Sequence, residues 1–262
     1  MSDEAGESSD SRATLAAIHA AVYSDGETEL QRSVPALLWS GLAAGMAMSF
    51  SLIAEGLLRN YLPDQSWQPV VTNFGYSIGF LIVILGRQQL FTENTITVII
   101  PLLHRRNLSS LLKVLRVWGV VLVANLIGGA AVAIVLANTN SFAPEIRDSF
   151  HAIGVSAIEP SFSTILLRGV YAGWLIATLV WILPAAGSAK FWAIIVFAYL
   201  IGLAHFTHVI AGSIEVFYLA AVGTHSWSAV LLGYSAPALI GNVLGGVLLT
   251  AVVNHAQVVA DS

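Results

Sequence analysis

Between residues 191 and 222 the chain is apolar except where Leu203-Ala-His-Phe-Thr-His-Val-Ile-Ala-Gly-Ser-Ile-Glu215 sets His205, Thr207, His208, Ser213 and Glu215 into the run. A run this long matches the hydrocarbon core of a bilayer, about 30 Å thick. An ionisable group at the bilayer centre costs roughly 2.5–3.5 kcal/mol on insertion scales, so such groups face a bundle interior or a water-filled path. The stretch 203–215 is therefore where a function is expected.

The rest of the chain has the same character. Hydrophobic residues make up 56% and charged residues 10%, with a mean hydropathy of +0.79. Several apolar runs alternate with short polar ones, which predicts an all-α integral membrane protein rather than a soluble one. The absence of cysteine excludes disulfides, thiolate metal sites and iron–sulfur clusters. The net charge of −4 is concentrated in the N-terminal tail, which argues against nucleic acid as a partner.

In chain order, residues 1–33 read as a cytoplasmic tail. Its acidic start, 1–11, is expected to be disordered, no secretory leader is expected, and 12–23 has the spacing of a short amphipathic helix, at the membrane surface or as a solvated tail helix. A six-span domain follows over 34–253. The spans are expected at about 34–58, 73–103, 117–137, 165–185, 191–222 and 229–253, with 254–262 as a cytoplasmic tail. Span 2 is interrupted by Gly86-Arg-Gln-Gln-Leu-Phe-Thr-Glu-Asn-Thr95 and span 5 by 202–213. A simple span needs only about 20 residues and does not carry that many polar groups in its middle, so both are read as broken. The segments 104–116 and 138–164 read as loops.

Lysine and arginine set the orientation. Arg12, Arg32, Arg105, Arg106, Lys113, Arg116 and Lys190 fall on one side, and Arg59 and Arg147 on the other. This places both termini in the cytoplasm.

The halves 34–137 and 165–253 match weakly at three places in the same order. Ser40-Gly-Leu-Ala-Ala-Gly45 parallels Arg168-Gly-Val-Tyr-Ala-Gly173, Leu90-Phe-Thr92 parallels His205-Phe-Thr207, and Ala124-Asn-Leu-Ile-Gly-Gly129 parallels Gly241-Asn-Val-Leu-Gly-Gly246. With three spans in each half, the second repeat is inverted relative to the first. Paired broken helices in inverted repeats point to a site at the membrane midplane, where half-helix N-termini offer N–H groups to an anion. Asn125, Asn242 and Arg87 are expected to support the breaks, Arg87 by pairing with Glu93. The glycine pairs 41/45, 75/79, 169/173 and 241/245 are expected to allow close helix approach.

Tyr76-Ser-Ile-Gly-Phe80, Gly86 followed by Leu90-Phe-Thr92, Ala124-Asn-Leu-Ile-Gly128, His208-Val-Ile-Ala211 and Gly241-Asn-Val-Leu-Gly-Gly246 resemble the formate/nitrite transporter family. The versions at 86–95 and 206–213 are most similar to its YfdC-like branch. The resemblance implies an aquaporin-like, six-span protomer in the inner membrane, assembled as a homopentamer, with one pore per protomer for small monovalent anions or their acids. Leu90, beside Phe91, resembles the central constriction, Tyr76 and Phe80 the cytoplasm-side slit, and Thr92 the threonine of the broken second span. Gly202-x-x-His205 and His208-x-Ile-Ala each match part of the family's pattern around its central histidine. The Phe-Thr pairing of the two halves favours His208.

This chain departs from the formate channels in carrying Glu93 and Asn94 after Leu-Phe-Thr, Gly212 and Ser213 after the histidine run, Arg168 in span 4, and no vestibule lysine. The expected mechanism is passage of the neutral acid through an apolar constriction. The central imidazole aids protonation, and Thr92, Thr207 and Ser213 replace lost water. Glu93 in the pore loop leaves open a neutral or cationic solute, and a non-transporting structural or regulatory pentamer is a further alternative. His205, His208 and Glu215 lack the ligand set of an intramembrane metalloenzyme, so no enzyme, metal or cofactor is expected. The expected partners are a small solute, lipid and copies of the chain itself.

Overall fold

The computed structural model describes residues 2–260, with side chains from residue 15 onward. Its elements are helices: α1 (Ser2–Gln31), α2 (Val34–Tyr61), α3 (Gln68–Leu85), α4 (Asn94–Thr97), α5 (Ile99–Arg105), α6 (Leu108–Asn138), α7 (Pro144–Ile158), α8 (Phe162–Ile182), α9 (Lys190–Leu203), α10 (Ala211–Ala221) and a last helix, Trp227–Ala260. Five of these helices, α2, α3, α6, α8 and the last, are long and apolar enough to cross a membrane, and α9 and α10 are shorter apolar pieces. Outward-facing Trp39, Phe50, Leu112, Ile127, Leu167 and Trp192 are exposed, as lipid-facing side chains are.

Local chemistry fixes the helix starts. The side chains of Ser33, Asn107, Ser161 and Ser226 accept the N–H groups of Ala36, Ser110, Thr164 and Ala229, respectively. Each caps a helix that would otherwise begin with unpaired donors.

Four segments differ from the sequence expectation. The segment 104–116 is a tight turn rather than a loop: Arg106 takes φ 46° after α5, and Asn107 starts α6 at Leu108, so Lys113 and Arg116 are helical. The connection 138–164 contains α7, which begins with Pro144 and buries Ile146, Phe150 and Ile153. The last helix continues beyond 253 to Ala260, with π-helical stretches at Leu231–Ser235 and Gly245–Val252. The tail helix extends past 23 to Gln31 and packs on protein: Val22 and Leu30 are buried, Glu27 pairs with Arg105, and Arg116 donates to the Leu30 carbonyl at 2.7 Å. Residues 2–11, expected to be disordered, are the first turns of α1, and residue 1 lies outside the described residues.

Within each half, glycine permits close packing. α2 lies against α6 with Gly45 on the Asn125 carbonyl, and α8 lies against the last helix with Gly173 on the Asn242 carbonyl; a Cβ on either glycine would overlap that oxygen. The two halves meet where α3 packs against α9 and α10 against α6.

Candidate functional site

Both broken spans end their first helix in the same way. After α3, the Arg87 N–H donates to the Ile84 carbonyl and the Gln88 N–H to the Val83 carbonyl; after α9, His205 donates to Gly202 and Phe206 to Ile201. Arg87 and His205 take φ 50° and 52°. This is the Schellman closure, made here with side chains that rarely adopt left-handed backbone.

The chain then turns back into the bundle, held each time by one buried asparagine. Asn125 accepts the Phe91 N–H at 2.9 Å and donates to the Gly41 and Gln89 carbonyls, both at 2.8 Å. Asn242 accepts the Val209 N–H at 2.9 Å and donates to the Gly169 carbonyl at 2.9 Å and the Thr207 carbonyl at 2.8 Å. Each amide satisfies two loop backbone groups that no helix reaches and ties them to a mid-helix carbonyl, Gly41 of α2 or Gly169 of α8.

This bonding corrects the register read from the sequence. Phe91 pairs with Val209 and Gln89 with Thr207, both 118 positions apart. Leu90 therefore corresponds to His208, and the match of Phe91-Thr92 to Phe206-Thr207 is a coincidence of residue type.

At the centre His208 and Thr92, both 0% exposed, meet with 2.8 Å between Nε2 and Oγ1. His208 Nδ1 accepts the Ala211 N–H at 3.2 Å, at the start of α10. With Nδ1 used as an acceptor, the neutral ring carries its proton on Nε2 and donates it to Thr92. That leaves the Thr92 hydroxyl hydrogen for another acceptor. Phe80 stands edge-on to the imidazole at 4.9 Å, Tyr76 follows at 5.5 Å from Phe80, and Leu90, two residues before Thr92, is fully buried.

A cavity lies on each side of this pair. The one on the side of α1, called inner for that position alone, is about 350 Å³ and is lined by Asp25, Glu29, Arg87, Gln88, Glu93 and Lys190. The outer one, about 80 Å³, opens near Arg59 and α7 and is lined by Glu55, Tyr76, Arg168, His205, Glu215 and Tyr234. Tyr76 thus sits on the side away from α1 and the chain ends. This corrects its assignment to the slit on the side of the termini.

The remaining candidates separate. His205 is exposed at the outer cavity. The Thr207 hydroxyl donates to the Ile165 carbonyl at 2.5 Å, so its proton is committed, and Ser213 pairs with Ser235 at 2.7 Å, which leaves one O–H between the two serines. Phe91 packs on Trp118 at 5.8 Å. Asn94 donates to the Gln89 side chain and the Leu90 carbonyl, so it braces the loop. Arg87 is exposed and forms no ion pair with Glu93 among the described residues, so its bracing contribution is the backbone turn alone. Glu93 Oε1 is buried without a partner.

Sequence reasoning missed Glu55, Tyr234, Gln89 and the α1 residues of the inner cavity. A lone carboxylate in an otherwise apolar span was the signal available for Glu55; for the others the pairing is purely tertiary.

Against known proteins, residues 16–256 match the family described as Formate/nitrite transporter. The chain is 41% identical over 245 residues to "Inner membrane protein YfdC" of Escherichia coli (strain K12), covering 94% of this chain and 79% of that one. It is 24% identical over 233 residues to "Nitrite transporter NirC" of Salmonella typhimurium, covering 84% and 82%. Among solved structures, it superposes on an "FNT family ion channel" with TM-score 0.76 at 20% identity, covering 93% and 98% of the two chains. It superposes on a "Pentameric formate channel with formate bound" with TM-score 0.74 at 16% identity, covering 87% and 98%. Its relatives are transporters and channels rather than enzymes.

Proposed function

Because the chain belongs to the formate/nitrite transporter family, we propose that it conducts small monovalent anions of the formate and nitrite type through each protomer as their neutral acids. The His208–Thr92 bond between two cavities carries this reading. Phe80 and Leu90 make the narrow part apolar, and an apolar passage opposes a bare anion far more than a neutral acid. His208 holds the Thr92 oxygen, and Thr92 offers its own O–H to an oxygen of the passing acid. The imidazole thus acts first as a neutral orienting group, because protonating Nδ1 would cost the Ala211 bond.

The arrangement in the cell follows the relatives. A multi-pass protein of the inner membrane and a homopentamer fit the printed descriptions of YfdC and of the formate channel. The loop charges support cytoplasmic termini, so the outer cavity faces the periplasm. The matched asparagine bonds support two inverted three-span repeats.

Uptake of labelled formate and nitrite into liposomes containing the protein tests this. Uptake above protein-free vesicles that drops about tenfold in Thr92→Val supports the reading; rates equal to empty vesicles overturn it. Glu93 favours a second reading. A buried carboxylate oxygen without a partner in the inner cavity suits a cationic or neutral solute, and anion flux found only in Glu93→Gln would establish that version.

A further inference from the structure

The outer cavity contains charge that this mechanism leaves unused. Glu55 of α2 and Glu215 of α10 line the same space of about 80 Å³. Glu215 is only 8% exposed and Glu55 is half-buried, and neither makes a hydrogen bond or ion pair among the described residues. Two carboxylates facing one small space inside a membrane bundle repel each other, and a single proton held there removes that repulsion. A buried carboxylate with no donor calls for a proton or a donor from a ligand.

The surroundings favour a proton. Arg59, one turn further along α2, and Arg168 of α8 line the cavity without pairing to either carboxylate, and His205 lies at the same opening. Tyr76 of α3 and Tyr234 of the last helix are the other titratable groups there. α7 contributes uncharged Ser156, and the cations of α6, Lys113 and Arg116, lie at its other end, where Arg116 binds α1. Guanidinium groups at the opening draw in an anion, not a cation.

We propose that Glu55 and Glu215 form a carboxyl dyad that holds one proton and passes it to the incoming anion beside Tyr76, so that the permeant is neutralised in the outer cavity before it reaches Phe80 and His208. The inference rests on the weak-acid reading above. In the transfer the O–H bond of the protonated carboxyl breaks and its electron pair stays on the glutamate. A new O–H bond forms on the permeant oxygen, and the dyad regains a proton from outer water. Donor and acceptor are both carboxylate-type oxygens, so the exchange leaves one negative charge on a carboxylate in the same cavity before and after the transfer.

Formate uptake by the full-length protein in liposomes, measured against external pH, tests this with Glu215→Gln, Glu55→Gln and the double variant. At neutral pH each single variant is expected to lose about a hundredfold in rate. At acid pH, where bulk water supplies the undissociated acid, the variants return to the parental rate, which shows that the pore is intact. Infrared spectra of the parent at neutral pH should contain a protonated-carboxyl band that disappears in Glu215→Gln. Parental rates in the variants at neutral pH, or uptake by the parent that requires sodium, overturn the dyad while leaving the transport reading in place. An absence of anion flux in the parent at every pH overturns both.

Discussion

His208 and Thr92 meet 2.8 Å apart although 116 positions separate them, one at the end of each re-entrant loop. The contact closes the two halves of the chain on each other between the two cavities. Thr92→Val removes the one acceptor that the Nε2–H has among the described residues, so a buried donor goes unpaired at a cost of about 1–3 kcal/mol. Thr92→Ser keeps the bond. Formate uptake should fall about tenfold in the valine variant and stay near the parent in the serine variant.

The asparagine braces should behave as a matched pair. Asn125→Leu strands the Phe91 N–H and the Gln89 carbonyl, and Asn242→Leu the Val209 N–H and the Thr207 carbonyl, in a dry interior. Each is expected to destabilise the protein by about 3–5 kcal/mol, with similar losses for the two sites. Thermal unfolding in detergent reads this directly, and a large asymmetry would mean that the two loops are not equivalently held.

Glycine position separates tolerated from damaging substitutions. Gly45→Ala and Gly173→Ala force a methyl group into the carbonyl of the adjacent asparagine, whereas a methyl at Gly119 in α6 meets nothing within 4 Å. Melting temperatures should drop clearly for the first two. Gly119→Ala should gain up to about 1 kcal/mol from helix propensity.

Docking of α1 should depend on pH. His19 Nε2 lies 3.1 Å from His255 Nδ1, and His104 stands 6.1 Å from His255, ring centre to ring centre. Burial pushes His19 below its ordinary value, and the neighbouring histidines add to this. The docked state therefore binds fewer protons than the undocked one. Its stability is full above the ordinary histidine value of about 6.5 and falls as the pH drops below it. Hydrogen exchange of residues 15–31 should accelerate between neutral and mildly acid pH, and His19→Gln should flatten that change.

The membrane class and the two broken spans were legible because apolar length and buried polar groups are properties of the chain itself. His208 is legible for the same reason, as a polar group in an apolar run, whereas the role of Thr92 follows from the family resemblance and those of Asn125 and Asn242 from the internal repeat. What was not legible depended on tertiary pairing. The repeat register shifted from 115 to 118 because bonds to the asparagines, not the shared Phe-Thr letters, align the loops. The outer position of Tyr76 follows from the direction in which α3 runs. α7 was hidden in a polar connection whose Ile146, Phe150 and Ile153 find a partner only when folded. The Glu93–Arg87 pair failed because the turn at Arg87 places that side chain at the surface.

Proton movement accompanying formate is the most direct measurement. Proteoliposomes with a weakly buffered lumen and a trapped pH indicator, clamped at several membrane potentials, report proton and formate entry together. Passage as the neutral acid gives one proton per formate and a rate indifferent to potential. Formate entry that follows the potential without acidifying the lumen would contradict it.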